Sequence, residues 1–120
     1  MSERTLPHDH GPSPLQNLEH MPETGDFETI AELCKLLGDS SRARIFWLLC
    51  HCEECVINIS AMMEMSSPAV SHHLKLLKSA KLIISRREGK EVYYKAAETE
   101  TVELLHHMIE KMVRIVCPGR

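Results

Sequence analysis

S-S-P-A-V-S-H-H-L-K-L-L-K-S-A, from Ser66 to Ala80, is the stretch whose reading decides the fold. Ser67 followed by Pro68 predicts a helix start: a Ser hydroxyl caps free N–H groups, and Pro at the first helical position gives up no hydrogen bond. Val70, Leu74 and Leu77 then recur at i, i+4 and i+7 as one apolar stripe, which leaves Ser71, His72, Lys75 and Ser79 on the opposite side. A face of small hydroxyls, imidazole and Lys suits base edges and phosphates in a major groove, and it also suits an ordinary solvated helix. The neighbouring segments decide between the two.

Upstream, the segment from Asn58 to Met65 has room for only about two helical turns. A short helix, a tight Met65-Ser66 connection and a longer second helix is the order of a helix-turn-helix. Downstream, Leu82 to Arg87 and Glu91 to Ala96 are two β-prone runs around Gly89-Lys90, which predicts a hairpin. Its tip is basic, so it reads as a wing laid on the phosphate backbone. Ser66, Ser67, Ser71, His72, Lys75, Lys78, Arg86, Arg87 and Lys90 are therefore the candidate DNA contacts.

Charge is partitioned accordingly. The net charge is −3, yet residues 66–95 hold seven basic side chains against two acidic ones, while residues 1–65 hold four against eleven. A basic patch confined to one segment is the footprint of a phosphate-contacting element.

At 120 residues, 43% hydrophobic and 26% charged, the chain is expected to be one soluble globular domain that gains from dimerisation. No apolar run reaches the ~18 residues of a membrane span. The N-terminus has no apolar core of the kind an export signal needs, so a cytoplasmic location is expected. Five Cys in a reducing compartment read as ligands or sensors rather than disulfides. Neither a Gly-rich phosphate loop nor a nucleophile–base pair in recognisable context is present, which argues against an enzyme.

Residues 1–25, with Pro7, Pro12, Pro14, Pro22 and little apolar periodicity, read as a flexible arm; Leu15, Leu18 and Met21 suit a short helical turn. His8-Asp9-His10 offers metal-ligand chemistry there, against the simpler reading of a solvated tail. From Asp26 a helix carries Phe27, Ile30, Cys34 and Leu37 on one stripe and ends at Gly38. A thiol on that stripe is expected to be buried. Asp39 or Ser40 caps the next helix, with Ile45, Phe46, Leu48 and Leu49 inward. That helix runs into Cys50, Cys52 and Cys55, three thiols within six residues that attract a soft metal. The final helix, Glu98 to Val116, carries Val102, Leu105, Ile109, Met112 and Val116 at alternating steps of three and four, the seam of a helix–helix interface with a second copy.

These features together, with L-G-D-S-S-R-A-R-I at Leu37 to Ile45, S-P-A-V-S-H-H-L-K-L-L at Ser67 to Leu77 and R-R-E-G-K-E-V-Y-Y at Arg86 to Tyr94, closely resemble the ArsR/SmtB family of bacterial metal-sensing repressors over residues 27–116. The resemblance implies a mainly α fold with a small β-hairpin (α+β). That fold is a winged helix-turn-helix of five helices over residues 26–117, with the hairpin before the last helix. It implies a homodimer through the first and last helices, with Ile30, Cys34, Val102, Leu105, Ile109, Met112 and Val116 at the interface. It also implies a palindromic operator, released when an inducer binds.

The inducer site departs from the family's patterns. Where many members read E-L-C-V-C-D or E-L-C-V-G-D, this chain reads Glu53-Glu54-Cys55-Val56-Ile57-Asn58, so Cys55 matches the first thiol and Ile57 replaces the second. Cys50 and Cys52 are the expected substitutes, with His8 and His10 from the other subunit's arm completing a shell for Zn(II), Cd(II), Pb(II) or As(III). The family's final-helix site maps onto Glu98, Glu100, Lys111 and Arg114, where two cations cannot ligate, leaving His106 and His107 as interface or surface residues. The alternative inducer is an oxidant or reactive sulfur species acting on Cys34, Cys55 or Cys117.

Overall fold

The computed structural model describes residues 5–119, and these divide between Glu32 and Leu33 into two units. Of the expected arm, residues 1–4 lie outside the described residues. The first unit holds a 3-10 helix, Pro14–His20, with Ser13 Oγ accepting the Leu15 N–H at its start. It also holds the beginning of α1 (Thr24–Leu37), so the last two residues of the expected arm, Thr24 and Gly25, fall inside that helix. Asp26 accepts the Glu23 N–H at 3.0 Å and secures the first turn.

In the second unit, α1 ends against Gly38, where an added Cβ would press on the carbonyls of Cys34 and Lys35 at 3.3 Å. Asp39 then caps α2 (Ser40–His51), accepting the Arg42 N–H at 3.0 Å; that bond holds the carboxyl below its usual range. The chain passes through β1 (Glu54–Cys55) into α3 (Val56–Met63), two residues earlier than Asn58. Cys55 stands at the N-cap without a side-chain cap bond, and the Glu54 carboxylate beside it accepts the Cys55 N–H and Asn58 Nδ2.

Glu64, at φ +54°, turns the chain out of α3, with the Met65 N–H closing onto the Ser60 carbonyl. This left-handed residue makes the corner of the helix-turn-helix. α4 (Ser67–Ser79) follows, capped by Ser66, whose Oγ accepts the Ala69 N–H. The cap is one residue earlier than expected, and Pro68 occupies the second helical position, where its missing N–H also costs nothing. Lys81, at φ +63°, closes α4 in the same way, with the Leu82 N–H reaching the Leu77 carbonyl.

β2 (Ile83–Glu88) and β3 (Glu91–Ala96) form the hairpin, with Glu88 opposite Glu91 and Gly89 at φ +64° in the turn. The expected two-stranded hairpin is in fact a three-stranded antiparallel sheet in the order β1-β3-β2, with Glu54 paired to Tyr94 and Cys55 to Tyr93. α5 (Glu100–Val116), capped by Thr99, is the last helix among the described residues and starts two residues later than Glu98.

The core sits where α2, α3 and α4 meet. Ile45, Phe46 and Leu49 face Ile59, Val70, Leu74 and Leu77 there, joined by Leu82, Ile83, Val102 and Leu105. Each such buried side chain contributes about 1.5–3 kcal/mol. The five α-helices and the wing therefore stand as the winged helix-turn-helix expected of the sequence, and the apolar stripe of α4 is what holds its other face outward. No helix among the described residues is long and apolar enough to cross a membrane.

Candidate functional site

The outward face of α4 presents Ser67, Ser71, His72, Lys75, Lys78 and Ser79, all exposed. Beside them His73 is buried, a placement the apolar stripe did not reveal. Arg42 of α2 donates through Nη1 to His73 Nδ1 at 3.4 Å and through Nε to the Leu36 carbonyl at 2.7 Å. An acceptor at Nδ1 places the hydrogen on Nε2, which faces Asp39 Oδ1 at 3.9 Å. Burial is the main reason the imidazole titrates below its ordinary value, with Asp39 opposing and Arg42 assisting. α4 is thus pinned to the capped start of α2 through a neutral histidine.

The wing is fastened at two points. Lys78 Nζ donates to Ser85 Oγ at 2.7 Å, joining the end of α4 to β2. Arg86 donates through Nε and Nη2 to both oxygens of Glu53 at 3.0 and 2.8 Å, and through Nη1 to Glu88 at 2.7 Å, with its guanidinium over the Tyr93 ring. The Glu53 hydrogen bond, then that of Glu88, raises the Arg86 pKa, while Arg86 lowers that of Glu53. Arg86 is therefore engaged in tying the wing to the loop before β1. Arg87 and Lys90 are exposed and, among the described residues, have no carboxylate within ion-pair distance.

The candidate metal ligands are distributed differently from the sequence expectation. Cys55 is buried on β1, and Cys50 and Cys52 open on a cleft shared with Glu53, Glu98, Glu103 and His106. Burial, and then Glu110, push the Cys50 thiol up to about 11; burial, and then Glu54, raise Cys52, whose Sγ–H points to the Leu48 carbonyl. The three sulfurs are not drawn together around one point. Among the described residues the donors close enough to share an ion are His51, His106 and Glu110. As the chain stands, the three thiols are not a gathered ligand set. His8 and His10 lie with their rings 5.7 Å apart in the first unit, beside Asp9, whose carboxylate accepts the Gly11 N–H.

His51 is the last residue of α2, and His106 and Glu110 stand one turn apart on α5. His106 Nε2 lies 3.0 Å from His51 Nε2 and 3.2 Å from Glu110 Oε1, and His51 Nε2 is 3.6 Å from that oxygen. Trp47 packs on His51 with ring centroids 4.1 Å apart and tilted by 38°, and donates its indole N–H to Glu110 at 3.1 Å, the main cause of that carboxyl's lowered pKa. The spacing of His106 and Glu110 by four residues was visible in the sequence, but His51, 55 residues away, was not linked to it.

The expected seam of α5 divides in two. Val102 and Leu105, 5% and 6% exposed, belong to the chain's own core, whereas Met112 and Val116, at 51% and 68%, remain open. Ile109 is partly buried against that core. Cys34, expected to be buried, is exposed; it lines an apolar groove with Leu37, Met108, Met112, Val116 and the equally exposed Cys117. Ile30 is also exposed.

Residues 39–85 match the family described as bacterial regulatory protein, arsR family. The chain is 34% identical over 106 residues to a transcriptional repressor SmtB homolog of Synechocystis sp., covering 82% of this chain and 80% of that one. It is 35% identical over 77 residues to a cadmium resistance transcriptional regulatory protein, a CadC homolog of Staphylococcus aureus, covering 63% and 64%. Among solved structures it resembles the homodimeric winged helix-turn-helix DNA-binding domain of a possible ArsR-family regulator from Mycobacterium bovis, with a TM-score of 0.64, 28% identity, and coverage of 88% and 90%.

Proposed function

The chain belongs to the ArsR family of bacterial regulatory proteins, and on that premise we propose that it is a transcriptional repressor that holds a palindromic operator as a homodimer and is released by a thiophilic metal ion. The observation that carries the DNA half is the outward face of α4, with Ser71, His72 and Lys75 exposed and Arg87 and Lys90 exposed on the wing beside it. Ser71 and His72 read base edges, and the cations hold phosphates. The homodimeric state of the M. bovis domain supports dimerisation, as do Leu104, Met108, Met112, Ile115 and Val116 left open on α5. A symmetric dimer calls for a symmetric operator.

The inducer half draws support from the cadmium-resistance role in the name of the S. aureus relative and from the thiols Cys50, Cys52 and Cys55 at the end of α2. The ion is of the Zn(II), Cd(II), Pb(II) or As(III) class. His8 and His10 belong to the same proposal as arm ligands. Because the three thiols are not gathered in the structure, no release step is routed through them.

A second reading rests on a separate observation: Cys34 and Cys117 are both exposed and line one groove beside α5. An oxidant or reactive sulfur species taking two electrons would join such thiols with loss of two protons, and the disulfide would reshape the open face of α5. Operator binding measured under strict reduction, with Cd(II), Zn(II), Pb(II) or As(III) added in turn, separates the two. Release by a metal supports the first reading. Release only after oxidation, abolished in Cys34→Ser, transfers the function to the second. A Ser71→Ala/His72→Ala variant that binds operator and random duplex as the parent does removes those residues as base readers.

A further inference from the structure

We propose that His51, His106 and Glu110 form a binding site for one borderline divalent cation of the zinc or cobalt class, joining the end of α2 to the middle of α5 within one subunit. The three donor atoms, two Nε2 and one Oε1, are separated by 3.0, 3.2 and 3.6 Å. Four-coordinate zinc with bonds of about 2.0–2.1 Å sets neighbouring ligands about 3.3 Å apart, so this triangle is already close to one face of the tetrahedron. Two imidazoles and a carboxylate are a ligand set that borderline ions accept, and the partial exposure of all three side chains leaves a fourth position to water.

The surroundings support the same assignment. Trp47 packs on one ligand and donates a hydrogen bond to another, the kind of outer contact that fixes ligand orientation before an ion arrives. Glu110 Oε1 keeps lone-pair capacity beyond the indole bond. Among the described residues no Lys or Arg pairs with Glu110, so its charge faces only the two imidazoles. These positions differ from Glu98, Glu100, Lys111 and Arg114, the places on α5 considered from the sequence. The binding itself does not depend on the repressor reading. Its consequence does: an ion would fasten α5 to the helix that carries His73's partners and so bias the recognition helix, with metal and DNA affecting each other's affinity by the same factor.

The test is Co(II) and Zn(II) binding to the reduced full-length chain. Tetrahedral Co(II) gives visible bands, and this site predicts them without the ultraviolet charge-transfer band of thiolate ligation. On Zn(II) addition the imidazole nitrogens of His51 and His106 should shift in nitrogen-15 spectra of the parent, a readout that needs no variant to fold. His51→Ala and His106→Gln should each weaken Co(II) binding by more than about 100-fold, and Trp47→Phe, losing an outer contact, by about tenfold. A Cys50→Ser/Cys52→Ser/Cys55→Ser variant should bind Co(II) as the parent does. Unmoved ring signals, or His variants as tight as the parent, overturn the site while leaving the metal-released reading of the repressor intact. Shifted rings with no effect of metal on operator binding keep the site and overturn the metal-released reading instead.

Discussion

Replacing Arg87 and Lys90 with Gln, and separately Arg86 with Gln, tests how the wing divides its cations. Each phosphate neutralised contributes about 0.9 to the slope of log affinity against log salt. With Arg87 and Lys90 acting from both wings of a dimer, the double variant gives up four contacts and about 3.6 of that slope. Over a rise from about 50 to about 200 mM salt, the parent should lose about 150-fold more affinity than the variant. Arg86 gives three donors to Glu53 and Glu88, so engaging a phosphate would require breaking that arrangement. Its replacement should change the slope by less than about 0.9. Fluorescence anisotropy of a labelled operator across a salt series, with metal-free reduced protein, measures both. A slope reduced by about 1.8 in Arg86→Gln, or unchanged in the double variant, would refute the division drawn from the wing's ion pairs.

Four further outcomes follow from the burial pattern. Met112→Glu should give a folded monomer by sedimentation, since that side chain is open in the subunit, whereas Leu105→Ala should cost about 2–5 kcal/mol of folding stability by denaturant titration. Because His73 has its pKa lowered from 6.5 in the fold, the unfolded chain binds more protons as pH falls through 6.5. Stability should be at its full value above 6.5 and decline below it, toward the lower folded value, and His73→Gln should flatten that decline in chemical denaturation. In the monomeric Met112→Glu variant, alkylation followed by mass spectrometry should label Cys34 and Cys117 first and Cys55 last.

What the sequence disclosed was whatever repeats along the chain. The Val70, Leu74 and Leu77 stripe gave the orientation of α4, and the Gly89-Lys90 turn gave the wing, because period and turn chemistry are local. Burial of His73 was hidden because it depends on Asp39 and Arg42, more than thirty residues away. β1 was missed because two residues have no alternation to read. The seam of α5 was read as one surface, since periodicity identifies an apolar face without saying whether the same chain or a second copy covers it; Val102 and Met112 received different answers. The donor-rich run Cys50 to Cys55 looked like a site because its residues are close in sequence, but the end of a helix followed by a strand sends their side chains to different places. His51 found its partners on α5 instead.

Trp47, the chain's single tryptophan, touches His51 with its ring and Glu110 with its N–H. Indole emission responds to an adjacent imidazole becoming charged and to the loss of a bonded N–H, so the protein carries its own optical gauge at the α2–α5 corner. All ultraviolet-excited tryptophan light from this chain originates there. Any event that draws the two helices together or parts them at that point, whether ion binding, acid or operator binding, is therefore readable in the unmodified molecule without a label, and it is distinguished from movements of the wing, which has no tryptophan to report them.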